Sequence, residues 1–213
     1  MSVNEILRHI VAERIIAVVR CTTATEAGAT IEAMVAGGAR TLEITTTTPD
    51  WEQLISDTSR RFPHLCVGVG TALESEDVQR AATAGGRFAA SPVYDPPLMA
   101  LAAEQGLLRM PGGATPTELF RAWRDGCELL KLFPTPPDPL PLLRALRGPL
   151  PALPIAPSGG ITDTTAPALL AAGAIALNVG SWLTHASDGT SLGQAATTER
   201  TIRLRSAVHL NTP

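Results

Sequence analysis

A short apolar run followed by an amphipathic stretch recurs eight times along this chain of 213 residues. Each run is bounded by Gly, Pro or polar residues, which is typical of a strand buried on both faces of a parallel sheet. Parallel strands need long crossovers, and the stretches between the runs have the apolar spacing of helices. The predicted strands are Ile15–Arg20, Thr41–Thr45, Cys66–Gly70, Arg87–Pro92, Leu107–Pro111, Leu129–Phe133, Leu153–Pro157 and Ala174–Gly180.

The repeat predicts an α/β fold, a (β/α)8 TIM barrel, as one domain over residues 1–213, because eight βα units close into a barrel of roughly 200–250 residues. The alternative is an open doubly wound sheet, which has fewer strands and binds ligands where the strand order reverses. Residues 2–12 predict an extra N-terminal helix, begun by a capping box of Ser2 and Glu5. We expect this helix to close the bottom of the barrel.

Composition argues against several classes of function. Lys and Arg number 17 and Asp and Glu 20, so the net charge of −3 argues against a nucleic-acid partner, which needs a basic patch. No apolar run approaches the ~20 residues of a membrane span, and residues 1–14 lack the layout of a signal peptide. The three cysteines include no CxxC pair, which favours a reducing, cytoplasmic location. The four histidines show no metal-ligand spacing, so we expect no metal and no other cofactor.

Lys131 is the sharpest candidate for chemistry, because it lies in an otherwise apolar predicted strand. Barrel enzymes carry their active sites at the carboxyl ends of the strands, and a lysine is rarely buried without a partner or a task. Burial beside other cations lowers the pKa of a lysine from about 10.4 and makes the amine a Schiff-base nucleophile. The alternative is a lysine whose amine reaches water at the end of an edge strand.

Glu43 is a carboxylate within the second predicted strand, and Lys131 in the sixth is its available partner. These strands lie on opposite sides of an eight-stranded barrel. The pair therefore suits a nucleophile and a general acid/base on either side of one carbonyl group. A buried salt bridge without catalysis is the alternative.

Glycine turns follow the last two predicted strands. Gly159 and Gly160 follow the seventh strand, and Gly180 with Ser181 follows the eighth. Barrels often bind phosphate with these two loops, since glycine lets the backbone approach the ligand. Ordinary turn chemistry is the alternative.

Seven motifs that occur in order cover nearly the whole predicted barrel. They are Gly37–Thr45, Val67–Thr71, Ala90–Pro92, Pro111–Glu118, Lys131–Pro134, Pro157–Ile161 and Val179–Leu183. Together they resemble the class I 2-keto-3-deoxy-6-phosphogluconate (KDPG) aldolases, a family that includes 4-hydroxy-2-oxoglutarate and 2-keto-3-deoxy-6-phosphogalactonate aldolases. The resemblance implies a (β/α)8 barrel, a homotrimer, a small 2-keto acid as substrate and no metal.

The resemblance also implies roles for single residues. Lys131 matches the family's Schiff-base lysine, and Glu43 matches its general acid/base. Thr71 matches a threonine that helps to bind the pyruvyl carboxylate. Pro92 and Phe133 match residues that line the pocket, and Gly159, Gly160 and Ser181 match turns at the phosphate end.

Two departures from the family pattern bear on the substrate. Thr47 stands where many KDPG aldolases carry an arginine. The phosphogalactonate branch lacks that arginine and carries one at the end of the first strand, as Arg20 does here. Residues 134–139 replace a glycine-rich loop with a proline-rich one, and proline has no N–H to offer a phosphate.

The sequence therefore predicts a carbon–carbon lyase that cleaves a 2-keto-4-hydroxy acid to pyruvate and an aldehyde. KDPG, which gives glyceraldehyde 3-phosphate, is the first substrate hypothesis. Lys131 attacks the ketone, Glu43 moves protons, and Arg20 with Thr71 holds the carboxylate. The alternatives are 4-hydroxy-2-oxoglutarate or the phosphogalactonate as substrate, and a phosphate-ligand-binding barrel without catalysis.

Overall fold

Strands and helices alternate throughout the computed structural model, which describes residues 1–209. The prediction of one domain over residues 1–213 includes residues 210–213, which lie outside the described residues. Within that described range, no helix is both long enough and apolar enough to cross a membrane. The strands are β1 (Ile15–Val19), β2 (Thr41–Thr45), β3 (Cys66–Gly70), β4 (Phe88–Ala90), β5 (Leu108–Met110), β6 (Gly112–Gly113), β7 (Leu130–Leu132), β8 (Ile155–Pro157) and β9 (Leu177–Val179). The helices are α1 (Val3–Glu13), α2 (Ala24–Ala36), α3 (Trp51–Arg61), α4 (Ser75–Thr83), α5 (Pro96–Glu104), α6 (Pro116–Arg124), α7 (Leu140–Arg147), α8 (Ala166–Ala171), α9 (Ser181–Thr184) and α10 (Gln194–His209).

The strands pair in parallel and surround a common interior. One sheet has the order β5-β4-β3-β2-β1-β9, so the last strand lies beside the first, and a second sheet has the order β6-β7-β8. β5 lies within the fifth predicted strand, and β6 follows directly after the end of that prediction; Pro111 between them has no N–H for the ladder. Ser158 after β8 forms a parallel bridge with Asn178 in β9. The predicted (β/α)8 barrel is confirmed, and the open doubly wound alternative is wrong.

Some ladders are shorter than the apolar runs that predict them. The run Ala174–Gly180 contains β9 only at Leu177–Val179. Ala174 and Ala176 are nevertheless buried. Burial therefore extends beyond the hydrogen-bonded part of the strand. An apolar run in the sequence predicts which residues are buried, and the ladder can be shorter than the run.

The N-terminal helix closes the bottom of the barrel, as predicted. α1 starts after Ser2, whose side chain forms the predicted capping box, and ends where Arg14 adopts a left-handed conformation (φ 61°). Ile6 and Ile10 on its inner face are fully buried and pack in one cluster with Phe88 and other interior side chains. The amphipathic pattern of the helix thus supplies the apolar floor of the barrel.

The three cysteines are free thiols and belong to the core. Burial raises the pKa of Cys66 to about 12 and that of Cys127 to about 11. Burial also raises the pKa of Cys21. The thiols therefore stay protonated at neutral pH and do not compete with Lys131 as nucleophiles.

Candidate active site

Three strands direct a polar side chain into the barrel at its carboxyl end: Glu43 from β2, Lys131 from β7 and Asn178 from β9. The alternation of a strand explains this arrangement, because each of the three lies between two residues that point the other way. Those outward neighbours pack against the helices in the main core: Leu42, Ile44, Leu130, Leu132, Leu177 and Val179.

Lys131 and Glu43 form a buried ion pair across the barrel. Lys131 Nζ donates a hydrogen bond of 2.8 Å to Glu43 Oε1. The Glu43 side chain is fully buried, and 8% of the Lys131 side chain is exposed. The Phe133 ring lies beside the amine, with its centroid 5.9 Å from Nζ. The structure thus brings the predicted nucleophile and acid/base into direct contact, and the exposed edge of the pair faces the mouth of the barrel.

Gly70 makes room for the Glu43 carboxylate. The register places β3 beside β2, with Thr45 opposite Gly70 and Glu43 opposite Gly68. A Cβ atom at Gly70 would lie 2.7 Å from Glu43 Cδ and closer still to Oε1. The carboxylate therefore occupies the space that any side chain at position 70 would fill. The motif Val67–Thr71 contains this glycine, but the sequence alone assigned it no role.

Asn178 is the second partner of Glu43, and sequence reasoning missed it. Its Nδ2 donates a hydrogen bond of 2.6 Å to Glu43 Oε2, so each carboxylate oxygen has one donor. Its Oδ1 is buried and has no hydrogen-bond partner among the described residues. A signal was present, because Asn is mostly exposed in proteins and here stands between Leu177 and Val179 in a buried strand.

Arg20 lies at the end of β1 and is held by two threonine hydroxyls. Its Nη1 donates to Thr47 Oγ1 at 3.3 Å, and its Nη2 donates to Thr71 Oγ1 at 3.0 Å. Thr71 has a left-handed backbone (φ 58°), and its carbonyl accepts a 2.9 Å bond from Thr46 Oγ1. Among the residues described, Arg20 forms no ion pair with a carboxylate. Its guanidinium is thus a fixed positive charge beside the ion pair's cavity.

One cavity of about 350 Å³ joins all these groups. Every predicted site residue lines it: Arg20, Glu43, Thr71, Pro92, Lys131, Phe133, Gly159, Gly160, Gly180 and Ser181. The Gly159–Gly160 turn has φ values of +113° and +66°, which explains the glycines there. Sequence reasoning missed Asn178, Trp182 and His185, which line the same cavity.

The proline-rich loop lies outside this lining. None of residues 134–139 borders the cavity. Thr135 Oγ1 instead donates to the Ser158 carbonyl at 2.8 Å and accepts a 2.9 Å bond from the Ser158 N–H. The loop is therefore tied to the end of β8 next to the Gly159–Gly160 turn. Its prolines leave the ion pair and Arg20 untouched.

Metal-ligating side chains do not gather at this site. In the stretch 1–209, no group of three or more His, Cys, Asp or Glu residues has the geometry to hold a metal ion. The charged groups of the cavity are Glu43, Lys131 and Arg20, which pair with one another or with hydroxyls. Their chemistry is that of a buried amine and a carboxylate.

Comparison with known proteins identifies the family. The family model for KDPG and KHG aldolase matches residues 3–195. The probable 2-dehydro-3-deoxy-6-phosphogalactonate aldolase of Rhizobium meliloti is 34% identical over 171 residues, which are 79% of this chain and 81% of that protein. The KHG/KDPG aldolase of Escherichia coli K12 is 33% identical over 156 residues, which are 73% of each chain. The native KDPGal structure superposes with a TM-score of 0.82 at 28% identity, covering 91% of this chain and 93% of that one.

The resemblance that the seven motifs predict is therefore confirmed, together with the prediction of an aldolase. The matched residues include both members of the buried ion pair and the cavity around it. The chain belongs to the KDPG and KHG aldolase family.

Proposed function

We propose that this protein is a class I aldolase in which Lys131 forms a Schiff base with a 2-keto-4-hydroxy acid. The observation that carries the proposal is the 2.8 Å contact between Lys131 Nζ and Glu43 Oε1 at the carboxyl end of the barrel. A proton that moves from the ammonium to Oε1 leaves a neutral amine beside its own proton acceptor. A nucleophile and its base within hydrogen-bond reach are the arrangement that covalent catalysis requires.

The reaction then follows from these two groups. The neutral amine of Lys131 adds to the C2 ketone, and Glu43 protonates the carbinolamine hydroxyl, which leaves as water. The Glu43 carboxylate next accepts the C4 hydroxyl proton, and the electrons of the C3–C4 bond move into the protonated imine. An aldehyde departs, and the remaining enamine takes a proton at C3. Water then hydrolyses the imine to release pyruvate and the amine.

Arg20 is the group we assign to the substrate carboxylate. It borders the cavity, carries a full positive charge and has no carboxylate partner within residues 1–209. Its hydrogen bonds to Thr47 and Thr71 fix the guanidinium plane, which is the requirement for a two-bond contact with a carboxylate. Thr71 adds a hydroxyl at the same end of the cavity.

The opposite end of the substrate is assigned to the turns after β8 and β9. Gly159, Gly160, Gly180 and Ser181 border the cavity there, and Pro92 and Phe133 line it as well. Backbone N–H groups at glycine turns suit a phosphate. The first substrate is therefore a phosphorylated 2-keto-3-deoxy acid, with KDPG as the leading candidate.

A second candidate is 2-keto-3-deoxy-6-phosphogalactonate. The observation that favours it is the position of the arginine, because Arg20 stands at the end of β1 and Thr47 holds it with a hydroxyl. The Rhizobium meliloti relative carries the name of that activity. Initial rates with KDPG, with the phosphogalactonate and with 4-hydroxy-2-oxoglutarate separate these substrates.

Covalent trapping tests the proposal directly, because Lys131 is the only lysine in the sequence and the other basic residues among the 17 are arginine. Pyruvate with borohydride should add one reduced pyruvyl group per chain, visible in the intact mass. Lys131→Ala removes the side-chain amine and leaves the N-terminal amine as the control for unspecific labelling. An adduct that persists in Lys131→Ala, or no adduct on the unmodified protein, would contradict the Schiff base.

Chelation and assembly complete the test of the predicted partners and cofactors. Adduct formation and cleavage should survive exhaustive treatment with EDTA, and a loss of activity that Zn²⁺ or Mg²⁺ restores would contradict the lysine mechanism.

The homotrimer and the cytoplasmic location stay predictions. Sedimentation equilibrium of the purified chain would determine the number of subunits.

A further inference from the structure

We propose that Asn178 is a positioning residue for Glu43: it fixes Oε2, so that Oε1 is the oxygen that exchanges protons with Lys131 and the substrate. The inference rests on the proposed function of the Lys131–Glu43 pair. The two donors come from different strands, Lys131 from β7 and Asn178 from β9. The carboxylate is therefore held from two sides, and Gly70 lies against it.

The orientation of the Asn178 amide follows from the charge of its partner. An amide oxygen turned toward Glu43 Oε2 would meet a lone pair at 2.6 Å, whereas the NH₂ group donates to it. Nδ2 therefore faces the carboxylate, and Oδ1 is left as a buried acceptor without a partner among the described residues. This orientation makes Asn178 a donor to Glu43.

The unpaired oxygen argues that this amide does not serve the stability of the fold. Asn178 is 1% exposed, and burying a polar atom without a hydrogen bond destabilises the folded state. Its strand neighbours Leu177 and Val179 show that apolar side chains suit β9. Buried polar groups that break a packing rule concentrate at functional sites. Asn178 lines the cavity beside Lys131 and Glu43, so its amide belongs to the site and not to the packed floor.

The chemistry explains why Glu43 needs this second donor. Lys131 changes its covalent state during the reaction, from ammonium to amine, carbinolamine and imine, so its hydrogen bond to Oε1 is remade at each step. An amide has no proton to lose in this pH range and keeps its hydrogen bond throughout. Asn178 is thus the constant contact that holds the acid/base while its other partner reacts.

The test is a double-mutant cycle between positions 178 and 43. Asn178→Leu keeps the approximate shape and removes the donor, and Glu43→Gln removes the acid/base. In the unmodified background we expect Asn178→Leu to lower kcat, and the initial rate of pyruvate trapping, roughly 10- to 100-fold while KM changes little, as for a displaced catalytic group. In the Glu43→Gln background we expect Asn178→Leu to cause no further loss of kcat, because the effects of mutating residues that act as a unit are not additive.

Thr41→Val is the matched control. Thr41 lies on β2 with Glu43, and its buried Oγ1 also has no partner among the described residues, but it does not line the cavity. We expect kcat of this variant to stay within twofold of the unmodified protein. A similar loss in Thr41→Val and Asn178→Leu would show a general effect of altered packing and overturn the proposal.

The remaining outcomes are also decisive. An equal loss from Asn178→Leu in both backgrounds, or no loss in either, overturns the positioning role while leaving the Schiff base intact. If the unmodified protein forms no pyruvate adduct, the proposed function itself fails. Should Asn178→Leu not fold, Asn178→Ala removes the donor with a smaller side chain and is measured in the same cycle.

Discussion

The two ends of the barrel interior differ although the same strands build both. At the bottom, Leu129 belongs to the apolar cluster that contains Ile6 and Ile10 of α1. Lys131, one interior position further along the same strand, carries the ion pair at the top. β9 repeats the step from buried Ala176 to Asn178. A move of two residues along one interior face therefore separates the packed floor from the chemistry.

The energetics of the two ends differ in the same way. Apolar burial stabilises a fold by about 25 cal/mol per Å², and the floor around Ile6, Ile10 and Phe88 is fully buried. For a buried ion pair, the free-energy cost of removing both charges from water can exceed the gain from their Coulomb attraction. We therefore expect the floor to contribute to the stability of the fold, and the ion pair at the top to contribute to activity. Mutations at the two ends should separate stability from activity.

The largest effect is expected at the floor, from Ile10→Ala. The side chain is fully buried, and removing it should lower the free energy of unfolding by about 2–5 kcal/mol. Urea denaturation measures this change. Val11→Ala on the same helix is the control, because Val11 is 40% exposed and its loss should stay within about 0.5 kcal/mol. A changed KM in folded Ile10→Ala protein would show that the two ends are coupled.

Gly70→Ala changes the top of the barrel, and we expect its main effect on kcat. The new methyl group occupies the space of the Glu43 carboxylate, which must move, and a displaced acid/base lowers kcat roughly 100-fold. Steady-state kinetics and a thermal melt measure both properties. Gly28→Ala is the matched control, since a Cβ at that position in α2 meets no atom within 4 Å. That variant should gain roughly 0.5–1 kcal/mol of stability at unchanged kcat. Wild-type kcat in Gly70→Ala would mean that the carboxylate is not held against this glycine.

Arg20→Ala tests the rim of the top, where burial is low. The fold should stay intact because Arg20 is exposed and contributes little to the core. The substrate carboxylate loses a charge-assisted contact worth about 1.5–3 kcal/mol, so KM for adduct formation from pyruvate should rise roughly 10- to 150-fold. Arg20→Lys should recover only part of this, because an ammonium cannot form the planar two-bond contact. Unchanged pyruvate binding by Arg20→Ala would place the carboxylate elsewhere.

The charged residues of the site at the top of the barrel could be predicted from the sequence. Lys131 and Glu43 stand out because charges in apolar strands contradict the local pattern, and Arg20 stands at a strand end, where barrels place their sites. Contacts made by several strands at once could not be predicted in this way. Asn178 meets Glu43 across 135 positions of sequence, and Gly70 matters through the volume of a neighbour's side chain.

At the floor of the barrel, both the helix and its position could be predicted from the sequence. The helical spacing and capping box of residues 2–12 predicted α1 to within one residue at each end, and its place under the barrel followed from its being extra to the repeat. The break of the fifth strand into β5 and β6 was not predicted. Pro111 ends the predicted run, and the run alone does not show that the chain pairs with β7 just after it, at Gly112–Gly113.

The smallest effect is expected from Thr47→Ala, which probes how Arg20 is held. Thr47 accepts a long bond of 3.3 Å from Arg20 Nη1 on an exposed surface, and Thr71 keeps the other bond at 3.0 Å. A neutral acceptor of this kind contributes about 0.5–1.5 kcal/mol, and water competes for the exposed bond, so KM for pyruvate should rise only about two- to threefold. In the Arg20→Ala background the same change should have no effect, because Thr47 then has no guanidinium to hold. A rise in KM as large as that of Arg20→Ala would mean that Thr47 itself contacts the carboxylate, and that a hydroxyl has replaced the family's arginine at this position.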